Sequence, residues 1–224
     1  MVISRKHRCV FVHVPKTGGQ SVEHVFLRSH GLDWKTRAPL LLRKNPDPSL
    51  GPPSLAHLTA AEYVGCGHLS PEEFDAFFVF AFVRNPWSRL VSEWRYRYQS
   101  RGIDFRSFVL EAFPEPSWSD ASTHVMAQHD FLYDDTGRCL VDFVGRYERL
   151  QEDFATVAAR VGLESADLPH VNRSADRGRR KGRGTKTTAA PALPYPAYYD
   201  DETREAVAAR YAVDIATFAY EFGQ

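Results

Sequence analysis

The stretch FFVFAFVRNPWSRLVS, Phe77–Ser92, decides the fold. Its first part, Phe77 to Val83, is an unbroken apolar run rich in β-branched and aromatic residues. A run of this length is too short for a typical helix, and no polar residue alternates within it. It therefore predicts a strand buried on both faces, the pattern of a parallel sheet. The chemistry changes at Arg84. Asn85 is a strong helix N-cap, and Pro86 fits the first helical position, where no N–H is needed. The spacing predicts a helix from Pro86 to about Ser100. A buried strand that runs straight into a capped helix is a βα unit.

Outward from this unit the pattern repeats. Cys9–Val14 (CVFVHV) predicts a second buried strand. Pro15–Gly19 breaks it. Gln20–Arg28 predicts a helix with Val22, Val25 and Phe26 on one face, ended by Gly31. Ala38–Pro53 holds five prolines and predicts a surface loop. Further strands are expected at Glu62–Cys66 and Cys139–Val144. Helices are expected at Asp104–Phe113, Ser119–Gln128, Arg149–Val161, Asp200–Tyr211 and Ile215–Phe222. Asn172–Ala190 is basic and rich in Gly and Thr, which predicts a mobile loop at 172–190. Apolar strands alternating with helices imply an α/β fold, a P-loop-NTPase-like parallel sheet flanked by helices. The length, 224 residues, suits one domain spanning 1–224.

Composition excludes several classes. Lys plus Arg equals Asp plus Glu at 28 each, so overall charge does not point to a polyanion. No apolar run approaches the roughly 18 residues of a membrane span. The apolar segment after the basic Met1–Arg8 ends at Pro15, too short for a signal-peptide core. The three cysteines, Cys9, Cys66 and Cys139, lack zinc spacing and read as free thiols in a reduced, cytoplasmic setting. No cluster with metal-ligand spacing is present, so no metal is expected.

In parallel sheets ligands sit beyond the carboxyl ends of the strands. Two segments place polar chemistry at those ends. In Pro15-Lys16-Thr17-Gly18-Gly19-Gln20-Ser21, two glycines let the backbone approach a ligand. The helix start adds unpaired N–H groups and a positive dipole end. Lys16 adds a point charge, and Thr17 and Ser21 add hydroxyls. Together they form an oxyanion cradle. The lysine precedes the glycines, so this is not the order of a nucleoside-triphosphatase P-loop. At the second end, Arg84 closes its strand, and its guanidinium can fork onto a phosphate. Ser88 and Ser92, four apart, share a helix face. An arginine with a helical serine suits a phosphate monoester; the competing reading is an arginine paired with a carboxylate beside capping serines.

These two segments together resemble the nucleotide-binding signatures of the sulfotransferases. HVPKTGGQS resembles the 5′-phosphosulfate loop. FVRNPWSRLVSEWRY resembles the 3′-phosphate motif of the heparan sulfate 2-O- and 6-O-sulfotransferases and their bacterial relatives. HDFLYDDTGRCLVDFVGRYERLQEDF resembles the strand–Glu–helix region of that group. The likeness runs from about Cys9 to Phe222 and is weakest over Leu32–Pro53. It implies a donor, 3′-phosphoadenosine 5′-phosphosulfate, a bisphosphate product and a hydroxylated acceptor, glycan or small metabolite. It further implies that Lys16 contacts the bridging and sulfuryl oxygens. The segment Pro15, Lys16, Thr17, Gly18, Gly19, Gln20 and Ser21 would hold the phosphosulfate. Arg84 and Ser92 would bind the 3′-phosphate, and Tyr147 would pack near the adenine. Arg180-Lys181-Gly182 resembles the basic loop that grips the nucleotide in cytosolic sulfotransferases. Gln20 stands where Thr or Ser is usual, which changes one side chain and spares the backbone. Eukaryotic relatives acting on glycosaminoglycans are anchored in the Golgi; without an anchor, this chain is expected to be a bacterial cytoplasmic enzyme.

Sulfuryl transfer needs a base for the acceptor hydroxyl and a cation for the leaving oxygen. Lys16 fits the second role. For the first, His68 in GCGHL (65–69) is expected to lie near the cleft, and its unperturbed pKa of about 6.5 is suitable. The segment resembles the His-Gly-His stretch of the 2-O enzymes, with Cys66 at the first histidine. His13 reads as a structural hydrogen-bonded group. His124, His129 and Glu62 are lesser candidates, and His24 and His57 read as surface or packing residues.

Two features stay open at the level of sequence. The run Arg173–Lys186, with seven basic side chains and one acid, reads as a solvated loop or as a lid over the bisphosphate. It lacks interleaved aromatics, so nucleic acid is not expected. Trp87, Trp94, Tyr96 and Tyr98 read as core packing or as an acceptor platform. A P-loop-type kinase and a non-catalytic nucleotide-binding protein remain rival functions.

Overall fold

The structure, a computed structural model, describes residues 2–41, 44–169 and 193–224. Its centre is a sheet in the order β1 (Val2–Ser4), β2 (Cys9–Val12), β3 (Phe78–Val83), β4 (Phe143–Arg146). β2, β3 and β4 run parallel, and β1 pairs antiparallel with β2 at the edge. The α/β expectation holds, with the three-residue β1 as an addition.

The apolar runs work as two-sided strands. Val10 and Val12 of β2 and Val79, Ala81 and Val83 of β3 face one core. Cys9 and Phe11 of β2 and Phe80 and Phe82 of β3 face the other. Side chains alternate with period two, and helices cover both faces, so neither face tolerates a polar residue. On the first face lie α2 (Ala60–Gly65), α3 (Pro71–Ala76) and α7 (His129–Leu132), through Tyr63, Phe74 and Phe131. On the second lie α1 (Gly19–Ser29) and α8 (Leu150–Arg160), through Val22, Phe26, Phe154 and Val157. A third cluster joins α4 (Pro86–Arg97), α5 (Phe105–Leu110), α6 (Asp120–Val125), α9 (Asp201–Arg210) and α10 (Ala212–Phe218).

Local chemistry sets the element ends. Asn85 caps α4 by accepting from the N–H groups of Trp87 and Ser88, with Pro86 at the first position, as expected. Gly31 and Gly162, with φ of 68° and 67°, leave α1 and α8 through the left-handed region, as chain stops do.

Three expectations need correction. Glu62–Cys66 is not a strand: Thr59 and Glu62 form a reciprocal capping box that starts α2. The strand expected at Cys139–Val144 is shifted to Phe143–Arg146. Its entry is pinned by Asp142, which accepts from Val79 N–H through its carboxylate and donates its own N–H to the Val79 carbonyl, both at 2.8 Å. α4 stops at Arg97, and a 3-10 turn over Gln99–Arg101 ends at Gly102 with φ of 76°.

Candidate active site

The carboxyl ends of β2 and β3 are neighbours, since Val12 lies beside Ala81. After β2 the chain turns through Lys16 and Gly18, whose φ values are 69° and 82°. Two left-handed residues flank Thr17 and turn the chain sharply between β2 and α1. A left-handed lysine carries a backbone cost of roughly 1–3 kcal/mol, which fits a loop shaped for a ligand. The Thr17 side chain is fully buried, and its hydroxyl donates to the Val14 carbonyl at 2.8 Å. That hydroxyl proton closes the loop rather than facing a ligand, which differs from the expectation for the Thr17 side chain. Gln20 and Ser21 are half-buried in the first turn of α1.

The two glycines fit only as glycines. A Cβ on Gly19 would lie 2.2 Å from the His13 ring, and one on Gly18 would lie 2.6 Å from Leu150 and 3.3 Å from Tyr147. Gly19→Ala is therefore expected to displace either His13 or the loop. Its thermal midpoint should fall by several degrees, about the effect of overpacking by 1–3 kcal/mol, as a melting scan will read.

Arg84 joins the two strand ends. Its Nη1 donates to the Lys16 carbonyl at 3.2 Å, and its Nε and Nη2 donate to the Ser88 hydroxyl at 3.1 and 2.8 Å. The Tyr147 ring covers it, with Cζ 4.0 Å from the centroid. Tyr147 thus touches both ends, Arg84 on one side and the space above Gly18 on the other. Burial lowers the Arg84 pKa, opposed by Tyr147 and Glu148. The Arg84 backbone is clamped by the Gln128 amide, which accepts from its N–H and donates to its carbonyl, each at 2.8 Å. Asp214 fixes Gln128 in turn by accepting from its N–H at 2.9 Å. Ser92, two turns into α4, is half-buried on the Ser88 face.

A file of rings runs from the sheet to the surface beside Lys16. Phe11 stacks on His13 at 5.3 Å, His13 meets His57 at 4.5 Å, and His57 meets His124 at 5.0 Å. Tyr96 then stacks on His124 at 5.8 Å, and Lys16 Nζ lies 4.0 Å from the Tyr96 centroid. Buried carboxylates hold this file. His13 Nδ1 is 3.0 Å from Glu23 Oε1, and His124 Nδ1 is 2.8 Å from Glu93 Oε2. His57 Nδ1–H donates to the His13 carbonyl at 2.8 Å. That bond assigns the proton to Nδ1 and leaves the Nε2 lone pair available. Burial, with His13 and His124 nearby, holds the His57 pKa well below its ordinary value. The ring is therefore neutral near pH 7.

His57, read from sequence as a surface or packing residue, belongs to this cluster. His68 does not: it lies in the loop after α2, and its Nε2 donates to the Leu50 carbonyl at 2.9 Å. His13 is the buried, hydrogen-bonded group expected of it. Glu62 is spent in the α2 cap, and His129 stacks on Tyr133 at 4.3 Å. Of the aromatics of α4 and its C-cap, Trp87, Trp94 and Tyr98 are core, and Tyr96, 41 % exposed, is at the site. Sequence reading missed Glu93 and Glu23 altogether. Glu93 had a signal: Arg89, Glu93 and Arg97 are spaced by four, so an acid sits between two arginines on one helix face. Arg180, Lys181 and Gly182, with the rest of the expected basic loop at 172–190, lie outside the described residues.

Two imidazoles make stability acid-sensitive. His57 and His30 both have lowered pKa values, His30 through burial and the nearby His7 and Lys6. The unfolded chain then takes up protons first, so stability is full above pH about 6.5 and is lost as pH falls from there toward the folded values. Melting scans should show the midpoint falling between pH 7 and pH 5, above the range where the lowered carboxylates titrate.

The fold and the paired strand ends define an α/β protein in which the glycine turn after β2 and Arg84 at the end of β3 meet. A family model described as Sulfotransferase family matches residues 1–221, and the chain belongs to that family. This supports sulfuryl transfer as its general reaction and makes the protein a transferase. The chain is also 34 % identical over 118 residues to an uncharacterized protein of Archaeoglobus fulgidus, covering 48 % of this chain and 87 % of that protein. No solved structure matches. Among the described residues no helix is long and apolar enough to cross a membrane.

Proposed function

We propose that the chain moves a sulfuryl group from 3′-phosphoadenosine 5′-phosphosulfate to a hydroxyl of a glycan or other small hydroxylated acceptor. One observation carries this reading: the Arg84 guanidinium donates to the Lys16 carbonyl at 3.2 Å, so the two strand tips form one continuous polar floor. The cradle from Pro15 to Ser21 takes the phosphosulfate end. Arg84, Ser92 and the Tyr147 ring take the 3′-phosphate and the base. The acceptor oxygen attacks sulfur in line, the sulfur–oxygen bond to the 5′-phosphate breaks, and the bisphosphate leaves. His57 Nε2 takes the hydroxyl proton, and Lys16 meets the charge that grows on the leaving oxygen. A neutral imidazole fixed in one tautomer is ready for this without losing a proton first.

The test is binding. Adenosine 3′,5′-bisphosphate should raise the melting midpoint of the wild-type protein, since a ligand that binds only the native state must stabilise it. Arg84→Ala should remove most of that shift; truncating one partner of a desolvated charge contact costs about 2–5 kcal/mol. A wild-type midpoint that ignores millimolar bisphosphate would count decisively against the reading. Magnesium-dependent ATP hydrolysis would favour the kinase alternative. Tight bisphosphate binding without turnover on any acceptor would favour a non-catalytic binding protein.

A further inference from the structure

Glu93 is a buried carboxylate, 1 % exposed, in the middle of α4. Burying such a charge costs of order several kcal/mol unless it is well paired. Its two oxygens are paired differently. Oε1 accepts from Arg97 Nε at 2.7 Å. Oε2 accepts from His124 Nδ1 at 2.8 Å and faces Lys16 Nζ at 4.0 Å. Arg97 has a second partner, Asp120, at 2.6 Å, so it does not depend on Glu93 for neutralisation. The oxygen that faces the site, Oε2, also ties α4 to α6 through His124.

The geometry at Lys16 is also unusual. A separation of 4.0 Å is an attraction between charges, beyond hydrogen-bond distance. The ammonium lies between that carboxylate and the face of Tyr96, also at 4.0 Å. Both neighbours attract a cation, and this carboxylate does not lock it with a short bond. The same oxygen fixes His124, against which the His57 ring packs edge-on at 5.0 Å. Burial pushes the Glu93 carboxyl up, but His124, Arg97 and Lys16 together bring it below its ordinary value, so it is charged at neutral pH.

We propose that Glu93 is the positioning residue of this site: its Oε2 aims the Lys16 ammonium at the leaving oxygen and, through His124, sets the ring of His57. The inference rests on the sulfotransferase reading for its catalytic half only. A purely structural Glu93 would hold α4 to α6 and would change stability without changing the cation.

Two readouts separate these roles. The first needs no activity: the acetylation rate of Lys16 by an N-hydroxysuccinimide ester in the ligand-free protein, read by mass spectrometry at fixed pH. Glu93→Gln should raise it roughly threefold or more, because an opposite charge at this distance favours the ammonium form. The second is steady-state kinetics. Glu93→Gln should lower kcat about tenfold or more, the scale of a small misplacement of reacting groups, with KM for the donor within about threefold. The bisphosphate-induced shift in melting midpoint should survive. Glu93→Asp, which keeps the charge and withdraws it by one methylene, should fall between wild type and Glu93→Gln in both readouts. If Glu93→Gln does not fold, Glu93→Asp decides the labelling question alone. Unchanged labelling in the folded variant overturns the proposal, and so does a kcat within about twofold of wild type. If the wild type neither binds bisphosphate nor turns over, the sulfotransferase reading and the catalytic half fall together. The labelling result then still decides the Lys16–Glu93 coupling.

Discussion

Lys16→Ala is expected to lower sulfuryl transfer about 10²–10³-fold, the usual loss when one preorganised group facing developing charge is removed. The effect should lie in kcat. Lys16 is followed by Thr17 and two glycines whose backbone N–H groups remain, so the cradle still binds the bisphosphate. The melting shift with bisphosphate should therefore persist in a protein that no longer turns over. Removing the lysine from its left-handed backbone also relieves no strain, since alanine at φ of 69° is no better placed than lysine. A variant with normal kcat would remove Lys16 from the mechanism. One that loses bisphosphate binding along with kcat would make it a binding residue.

His57→Ala is expected to cost about 10²–10⁴-fold in kcat, the range for a general base. The His57 ring packs against His13 and His124, and the partners of Arg84 are Lys16, Ser88, Gln128 and Tyr147, so donor affinity should stay close to wild type. His68→Ala is the natural comparison. Its ring donates to the Leu50 carbonyl, so its loss should be small. If His68→Ala abolishes turnover and His57→Ala does not, the base has been placed on the wrong histidine.

The contrast between these two histidines shows how far the chain could be read. Strands at Cys9 and Phe77, the capped helix at Pro86 and the turn at Lys16 were legible. Each is written in consecutive residues: an unbroken apolar run, an Asn-Pro start, a Gly-Gly turn. The pairing of Lys16 with Arg84 followed from the rule that strand ends collect ligands. The base proposed above, His57, did not follow. His68 was favoured for its local context, but the capping box at Thr59 and Glu62 turned the strand expected there into a helix. His57 instead meets the His13 carbonyl, 44 residues earlier in the chain. Glu93 was hidden for a similar reason. Its neighbours on the helix are arginines, while the partners that give it a role, Lys16 and His124, come from other elements.

By itself the amino-acid order determined that this chain builds βα units and places a cation and a glycine turn at one strand tip. Such features arise from burial period, caps and turns, which act over a few residues. Only the tertiary structure decided which imidazole keeps a free lone pair, which hydroxyl is spent on its own loop, and which carboxylate faces the lysine. Those outcomes depend on buried polar atoms finding partners across distances along the chain that no local pattern encodes, and an unpaired group in the interior costs too much for the fold to leave the choice open.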